Sequence, residues 1–299
     1  MAKDVHPPRG MRDFLPVEKA KRDRVLNVIR SSFAAHGFQE IETPALEDIA
    51  KLTSGQGGDN EKLAFRVMKR GAELEAGLAS ASPNNVALEV DNLADLGLRY
   101  DLTVPLTRYY ATNRAQLPSV FKAIQTGPVW RAERPQKGRY RQFVQCDIDV
   151  IGDASELAEV ELLVASLDAL ASIGLAEAVI RVNHRALLTA SIAALGVSAD
   201  DALSAMITID KLDKIEASGV VEELRTKFGP EVSGAAAIWL STLAGAAVPA
   251  ELTSLFELVG SVHPGKLRYD ATLVRGMGYY TGTIFEIEHP GSGSSIGGG

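Results

Sequence analysis

KAIQTGPVWRAERPQKGRYRQFVQCDIDVIG, residues 122–152, is the stretch from which the fold can be read. Between Lys122 and Phe143 it holds six cations (Lys122, Arg131, Arg134, Lys137, Arg139 and Arg141) against one anion, Glu133, in a chain of formal net charge −7. The pattern then changes. Val144, Cys146, Ile148 and Val150 alternate with Gln145, Asp147 and Asp149, which is the period of two of a half-buried strand. A cationic turn therefore leads into a strand with carboxylates on one face. A site that holds a polyphosphate beside a charged amine needs both signs close together.

Working outward, the composition bounds the answer. The chain has 299 residues, 46% of them hydrophobic, enough for a sizeable core and more than one domain. No apolar run reaches the roughly 18 to 20 residues of a membrane span. The start, MAKDVHPPRGMRDF, lacks the apolar core of a signal peptide. A soluble cytoplasmic protein with no membrane partner is expected. Cys146 is the only cysteine, so no intrachain disulfide can form. Its place on the apolar face of the strand marks it as a small core residue. The acidic balance argues against a general nucleic-acid coat but allows a local basic site.

Helical spacing of Val25, Leu26, Ile29 and Phe33, followed by Gly37, predicts a helix over 17–36. Residues 38–43 predict a short strand ending at Pro44. Residues 53–60 and 69–97 look loop-like, with a strand near Val86–Val90. Thr103 is placed to cap a helix beginning at Val104. A second helix is expected over 154–173 and a strand over 179–182. From about His184 to Pro264 the chain is rich in Ala and Leu with helical periodicity, the mark of an inserted all-α module. Strands return at 266–273 and 283–287. The five histidines form no triad with Ser or Cys, and His36, His184, His263 and His289 are assigned to surface or packing.

Five segments together resemble the class II aminoacyl-tRNA synthetases, and among them the histidyl-tRNA synthetase family. PRGMRDFLP (Pro8–Pro16) is similar to the family's first motif, RYDLT (Arg99–Thr103) to a substrate-binding segment, and WRAERPQKGRYRQFVQCDIDVIG (Trp130–Gly152) to its second motif and adjoining strand. IDKLDKI (Ile209–Ile215) resembles a stretch of the family's helical insertion, and LVRGMGYYTGTIFEI (Leu273–Ile287) its histidine-specific peptide. The likeness spans nearly the whole chain. It departs from the family where Gly278 stands in place of an acid, and where the chain ends before a third motif and an anticodon-binding domain. An N-terminal piece of a longer enzyme is expected, with the activity of the piece alone left open.

The resemblance implies an α+β fold: a mainly antiparallel sheet flanked by helices, divided as catalytic core over 1–183, helical insertion over 184–264 and continued core over 265–299. It implies ATP-dependent activation of L-histidine to the adenylate, with Mg2+, and transfer to tRNA(His) by a homodimer. Arg131 and Arg275 are then the catalytic arginines at the carboxylate and α-phosphate. Asp101, Thr103, Gln145 and Asp149 would hold histidine's α-ammonium, and Tyr279 and Tyr280 its imidazole. Arg139 would contribute to ATP or the tRNA acceptor end. Asp147 is left out, as an acid meeting water. No metal ligands can be named. The alternative is the regulatory subunit of ATP phosphoribosyltransferase, a non-catalytic relative that binds histidine as a signal. The intact Arg-Gly-x-x-Tyr-Tyr peptide and full second motif oppose it.

Overall fold

The computed structural model describes residues 5–53, 63–81, 93–135, 138–243, 245–275 and 280–299. The chain divides into two compact units, residues 1–154 and 155–299.

The first unit opens with helix α1 (Pro16–Ala35), which has Pro at its start, as helices tolerate. Gly37 (φ +81°) ends it in the left-handed region that glycine occupies at least cost. Strand β1 (Gln39–Ile41) follows, then β2 (Leu46–Asp48), the short α2 (Ile49–Thr53), β3 (Phe65–Met68), α3 (Ala72–Ala81) and β4 (Ala94–Leu98). The helix α4 (Thr103–Asn113) precedes the two long strands β5 (Phe121–Trp130) and β6 (Gln142–Ile151). The hydrogen-bonded order is β1-β5-β6 in one sheet and β2-β4-β3 in another. β5 and β6 are antiparallel, and β1 joins β5 in parallel.

Two expectations fail here. Residues 69–97 are not simply loop: they contain α3 and β4. AELEAGLASA is dominated by Ala, Glu and Leu, strong helix formers whose propensity outweighs the Gly and Ser around them. Thr103 does not cap α4. That role falls to Asp101, whose Oδ1 accepts the Val104 amide at 3.2 Å. The strand expected at 86–90 lies outside the described residues.

The second unit comprises α5 (Glu156–Ser172), β7 (Val179–His184), five helices, α6 (Arg185–Ala194), α7 (Ala202–Ile209), α8 (Leu212–Phe228), α9 (Pro230–Thr242) and α10 (Ala250–Val262), and then β8 (Leu267–Tyr269), β9 (Thr283–Glu288) and β10 (Gly297–Gly298). The sheet order is β10-β9-β7-β8, with β7 and β8 parallel and the other pairs antiparallel. Leu163 and Leu167 of α5, Ile180 and Val182 of β7, and Leu252, Leu255 and Val259 of α10 form one core. Leu188, Ile192, Met206, Ile209, Val220 and Leu224 form another among the helices, and Val274 joins it. Each such apolar side chain, fully buried, contributes about 1.5–3 kcal/mol.

β8 is shorter than the strand expected over 266–273, because Asp270 turns the chain. Its Oδ1 accepts both the amide and the hydroxyl of Thr272 at 2.9 and 2.7 Å. Arg181 of β7 is the electrostatic hub of this unit. It reaches Asp270 at 2.6 Å, Asp213 of α8 at 3.0 Å and Glu288 of β9 at 2.9 Å. Asn183, fully buried, donates to the carbonyls of Ala271 and Leu273 at 3.2 and 3.1 Å, pinning the chain that leads to Arg275. Among the described residues no helix is long and apolar enough to cross a membrane.

Candidate active site

The register of the long hairpin builds the first half of the candidate site. Gln145 pairs with Gly127, Asp147 with Gln125 and Asp149 with Ala123. Because side chains alternate along a strand, the three polar residues of β6 share one face. That face is the one α4 packs on, since Leu106 meets Phe121 and Ala123 in a small core. Cys146 points the other way. Its free thiol lies 3.2 Å from Thr126 Oγ1, and burial pushes its pKa up, as for an inert packing cysteine.

Asp101 enters from the start of α4. It is 3% exposed. One oxygen serves the helix amide, and a carboxylate there is favoured by the positive end of the helix dipole. The other oxygen is buried without a hydrogen-bond partner, as are Gln145 Oε1 and Asp149 Oδ2. Burying a polar acceptor unpaired costs about 1–3 kcal/mol. Three of them, two on one strand face and one from the start of α4, are a standing demand for donors.

Charge sharpens the demand. Burial raises the Asp101 carboxyl above its usual range, and this outweighs the Val104 amide and the Arg131 guanidinium, which both lower it. Burial, then the Asp101 carboxylate, pushes Asp149 to about 6. Burial, then Asp149 and Asp101, pushes Asp147 to about 7, against the pull of Arg131. Asp147 therefore shares the field of this cluster, with a side chain that is still partly exposed. Strand alternation, which puts it on the same face as its two neighbours, was the signal that could have found it.

Arg131 stands at the end of β5. Its Nε donates to the Tyr100 carbonyl at 3.0 Å, its backbone amide donates to Arg141 O at 2.8 Å, and its guanidinium lies 5.1 Å from the centre of the Phe143 ring. These contacts fix the fork beside the carboxylates. Thr103 begins α4, next to Asp101. Arg139 is exposed and pairs with Glu133 at 3.0 Å, on the rim of the hairpin turn.

Arg99 is a residue that sequence reasoning passed over. It is 5% exposed. Its Nη1 donates to Thr43 O at 2.7 Å, Thr43 Oγ1 at 3.0 Å and Pro44 O at 3.3 Å, and its Nε donates to Pro128 O at 3.0 Å. The guanidinium lies against Gly127, where a β-carbon would overlap Nη2. Gly127 is thus required for close approach, and Arg99 ties the segment bearing Asp101 to β5.

The second unit carries the remaining assigned residues. Arg275 Nη1 donates to Glu286 Oε1 at 2.7 Å and Nη2 to the Tyr280 hydroxyl at 3.4 Å, while Nε is buried without a partner. Burial opposes its charge, but Tyr280 and Glu286 outweigh that and raise its pKa. A guanidinium with one buried donor unspent is suited to an anion. Tyr279 and Gly278 lie outside the described residues.

Comparison with known proteins identifies the family. The family model described as "Histidyl-tRNA synthetase" matches residues 10–80 and 73–299. A histidine–tRNA ligase of Leifsonia xyli subsp. xyli is 52% identical, aligned over all of this chain and 74% of its own length. A probable histidine–tRNA ligase of Tropheryma whipplei is 42% identical over 95% of this chain and 71% of its own. A crystal structure of histidyl-tRNA synthetase from Nostoc sp. PCC 7120 superposes with a TM-score of 0.74 at 26% identity, covering 96% of this chain and 66% of that one. A structure titled as an ATP phosphoribosyltransferase regulatory subunit/histidyl-tRNA synthetase, from Bacillus halodurans, gives a TM-score of 0.72 at 21% identity over 98% of this chain and 75% of that one, a likeness of fold alone. The family model spans residues 10–299 and one relative is 52% identical along the whole chain, so the chain belongs to the histidyl-tRNA synthetase family.

Proposed function

We propose that this chain binds L-histidine and ATP and joins them as histidyl-adenylate, the first half of the ligase reaction. The observation that carries this reading is the trio of buried, unpartnered acceptors on Asp101, Gln145 and Asp149 beside Arg131. An ammonium offers three donors and a charge, which is what those acceptors lack. Arg131 is then near enough to take the carboxylate of the same amino acid.

In the activation step, the histidine carboxylate oxygen attacks the α-phosphorus of ATP and pyrophosphate leaves. The nucleophile needs no base, since a carboxylate is ionised near neutral pH. It needs alignment and cations where negative charge gathers at phosphorus. Arg131 supplies that charge from the hairpin and, by the family likeness, Arg275 is assigned to the same phosphate. Tyr279 and Tyr280 are assigned to the imidazole, whose one donor and one acceptor nitrogen suit phenolic partners. Thr103 adds a hydroxyl beside Asp101. In the transfer step, a terminal hydroxyl of tRNA(His) takes the histidyl group and AMP leaves, with Arg139 at the exposed rim serving the nucleotide or the acceptor end.

Mg2+ enters with ATP, held chiefly by phosphate oxygens and water. Among the described residues no cluster of three His, Cys, Asp or Glu side chains could hold a metal. We assign 184–264 as a helical insertion between the two parts of the core, and a homodimer in the cytoplasm. The dimer reading is supported by α1 and its approach, where Leu15, Val17 and Val25 are 70%, 82% and 37% exposed. The test is pyrophosphate exchange into ATP. Exchange that depends on histidine and on no other amino acid is expected, and exchange driven equally by other amino acids would overturn the assignment.

A further inference from the structure

Asp147 has no part in the reading above, yet it lies in the middle of the seat. It stands between Gln145 and Asp149 on one strand face, two residues from each. Directly across the hairpin is Gln125. That side chain is committed elsewhere, donating to Leu102 O at 2.9 Å and accepting from Thr43 Oγ1 at 3.3 Å. On either side of Asp147 are the orphaned oxygens of Gln145 and Asp149, and its field is shared with Asp101, which is 3% exposed and has one oxygen without a partner.

Resting on the histidine-binding reading, we propose that Asp147 is the proton-carrying member of the ammonium seat: it is protonated while the seat is empty and releases its proton to solvent as the α-ammonium of histidine enters.

The charge count requires something of this kind. Asp147 shares its field with Asp149 on its own strand, Asp101 from the segment before α4, and Arg131 from the end of β5, and Tyr100 interacts in turn with Asp101 and Arg131. On the opposite face of the sheet, Arg30 of α1 and Glu40 of β1 lie against Cys146. Three carboxylates and one guanidinium leave the empty seat with two excess negative charges if every acid ionises. Burial and mutual repulsion resist that, so the pair Asp147 and Asp149 keeps a proton near neutrality. An arriving ammonium brings one positive charge and three donors. It stabilises the ionised acids, and the proton departs. The seat thus exchanges one cation for another. A neutral amine would displace no proton and would be left facing protonated acids, so the exchange also selects the charged form of the amino group.

The direction of the pH effect follows. Below the pKa of the empty pair, binding must expel a proton, so affinity falls as pH falls. Between about pH 5.5 and 7 the histidine affinity should rise with pH, by up to about tenfold per unit for one released proton. The imidazole of free histidine titrates in the same range, so the informative quantity is the difference between the native protein and a variant.

The experiment is calorimetric titration of histidine at about pH 6.5 in buffers of differing ionisation enthalpy, on the native chain and on Asp147→Asn. The native chain is expected to release more protons than the variant, by up to one per site, and the imidazole contributes equally to both. Equal proton counts with histidine bound in both overturn the proposal and leave the functional reading standing. Absence of histidine binding by the native chain overturns the functional reading and this one with it. If the variant fails to fold, the carboxyl carbons of the native chain decide, followed by NMR with labelled aspartate. One aspartate should titrate near neutrality in the empty protein and be ionised at about pH 6 with histidine bound; no aspartate titrating above about pH 5.5 overturns the proposal.

Discussion

Asp101 accepts the backbone amide of Val104 at 3.2 Å through Oδ1, while its Oδ2 is buried without a partner. One carboxylate thus starts a helix and, in the reading proposed above, holds the ammonium of histidine. The two tasks separate under mutation. Asp101→Asn keeps a capping oxygen and loses the charge, so the thermal midpoint should stay near that of the native protein while KM for histidine rises by about tenfold or more. Asp101→Ala should lose both, with about 0.5–2 kcal/mol of stability gone in urea titration. If Asp101→Asn bound histidine normally, the charge at this position would be irrelevant to the seat.

Arg131→Ala should lower the rate of histidine-dependent pyrophosphate exchange by about 10²–10³-fold, the cost of one preorganised charge-stabilising donor. Its stability should fall by only about 1 kcal/mol for the lost bond to Tyr100 O. Arg275→Ala should show a loss of similar size. Exchange rates and urea midpoints measured side by side separate the two effects. A variant with unimpaired exchange would remove that arginine from the phosphate.

Gly127→Ala should destabilise the protein by about 1–3 kcal/mol, because the new methyl group overlaps the Arg99 guanidinium. An arginine tip usually yields, but this one is held by Thr43, Pro44 and Pro128. Adding Arg99→Ala should make the cost of the methyl group nearly vanish, so the two changes will be strongly non-additive in a denaturation cycle. Simple additivity would mean that the arginine moves freely.

Burial and neighbouring carboxylates raise Asp147 and Asp149 to about 7 and 6. The folded chain therefore holds protons that the unfolded chain, with ordinary aspartates, has released above about pH 4. The stabilising effect of these protons is complete below the unfolded pKa and is lost as pH rises through 6 and 7. Asp147→Asn should raise the thermal midpoint more at about pH 8 than at about pH 5, the difference corresponding to roughly 1–3 kcal/mol. Scanning calorimetry at the two pH values checks this, and a variant that is no more stable at the higher pH would contradict it.

Much of this architecture is legible along the chain because its signals are local. Gly37 and the spacing of Leu26, Ile29 and Phe33 announce α1, and alternation from Val144 to Val150 announces β6. The motif residues Asp101, Gln145 and Asp149 could be named because their types recur in a recognisable pattern. What stayed hidden depends on contacts distant in sequence. Arg99 has no structural role until Thr43 and Pro128 fold around it. Asp147 reads as solvated, and only the fold brings the charge of Asp101 near it. The helix cap shifts from Thr103 to Asp101 because both residue types can cap, and only the backbone turn at Leu102 decides between them. The helix α3 was masked by neighbouring Gly and Ser.

Val274 is packed into the core of the helices, against the group that includes Met206, Ile209 and Leu224, and the very next residue is Arg275. Two adjacent positions therefore answer to different constraints, one of volume and one of charge. Evolution of the helical segment is tethered by that single peptide link. A chimera that took residues 185–262 from a distant relative would have to preserve a valine-sized socket, or the misfit would be transmitted directly to the guanidinium and appear as lost turnover in a protein whose chemistry-bearing residues were all intact.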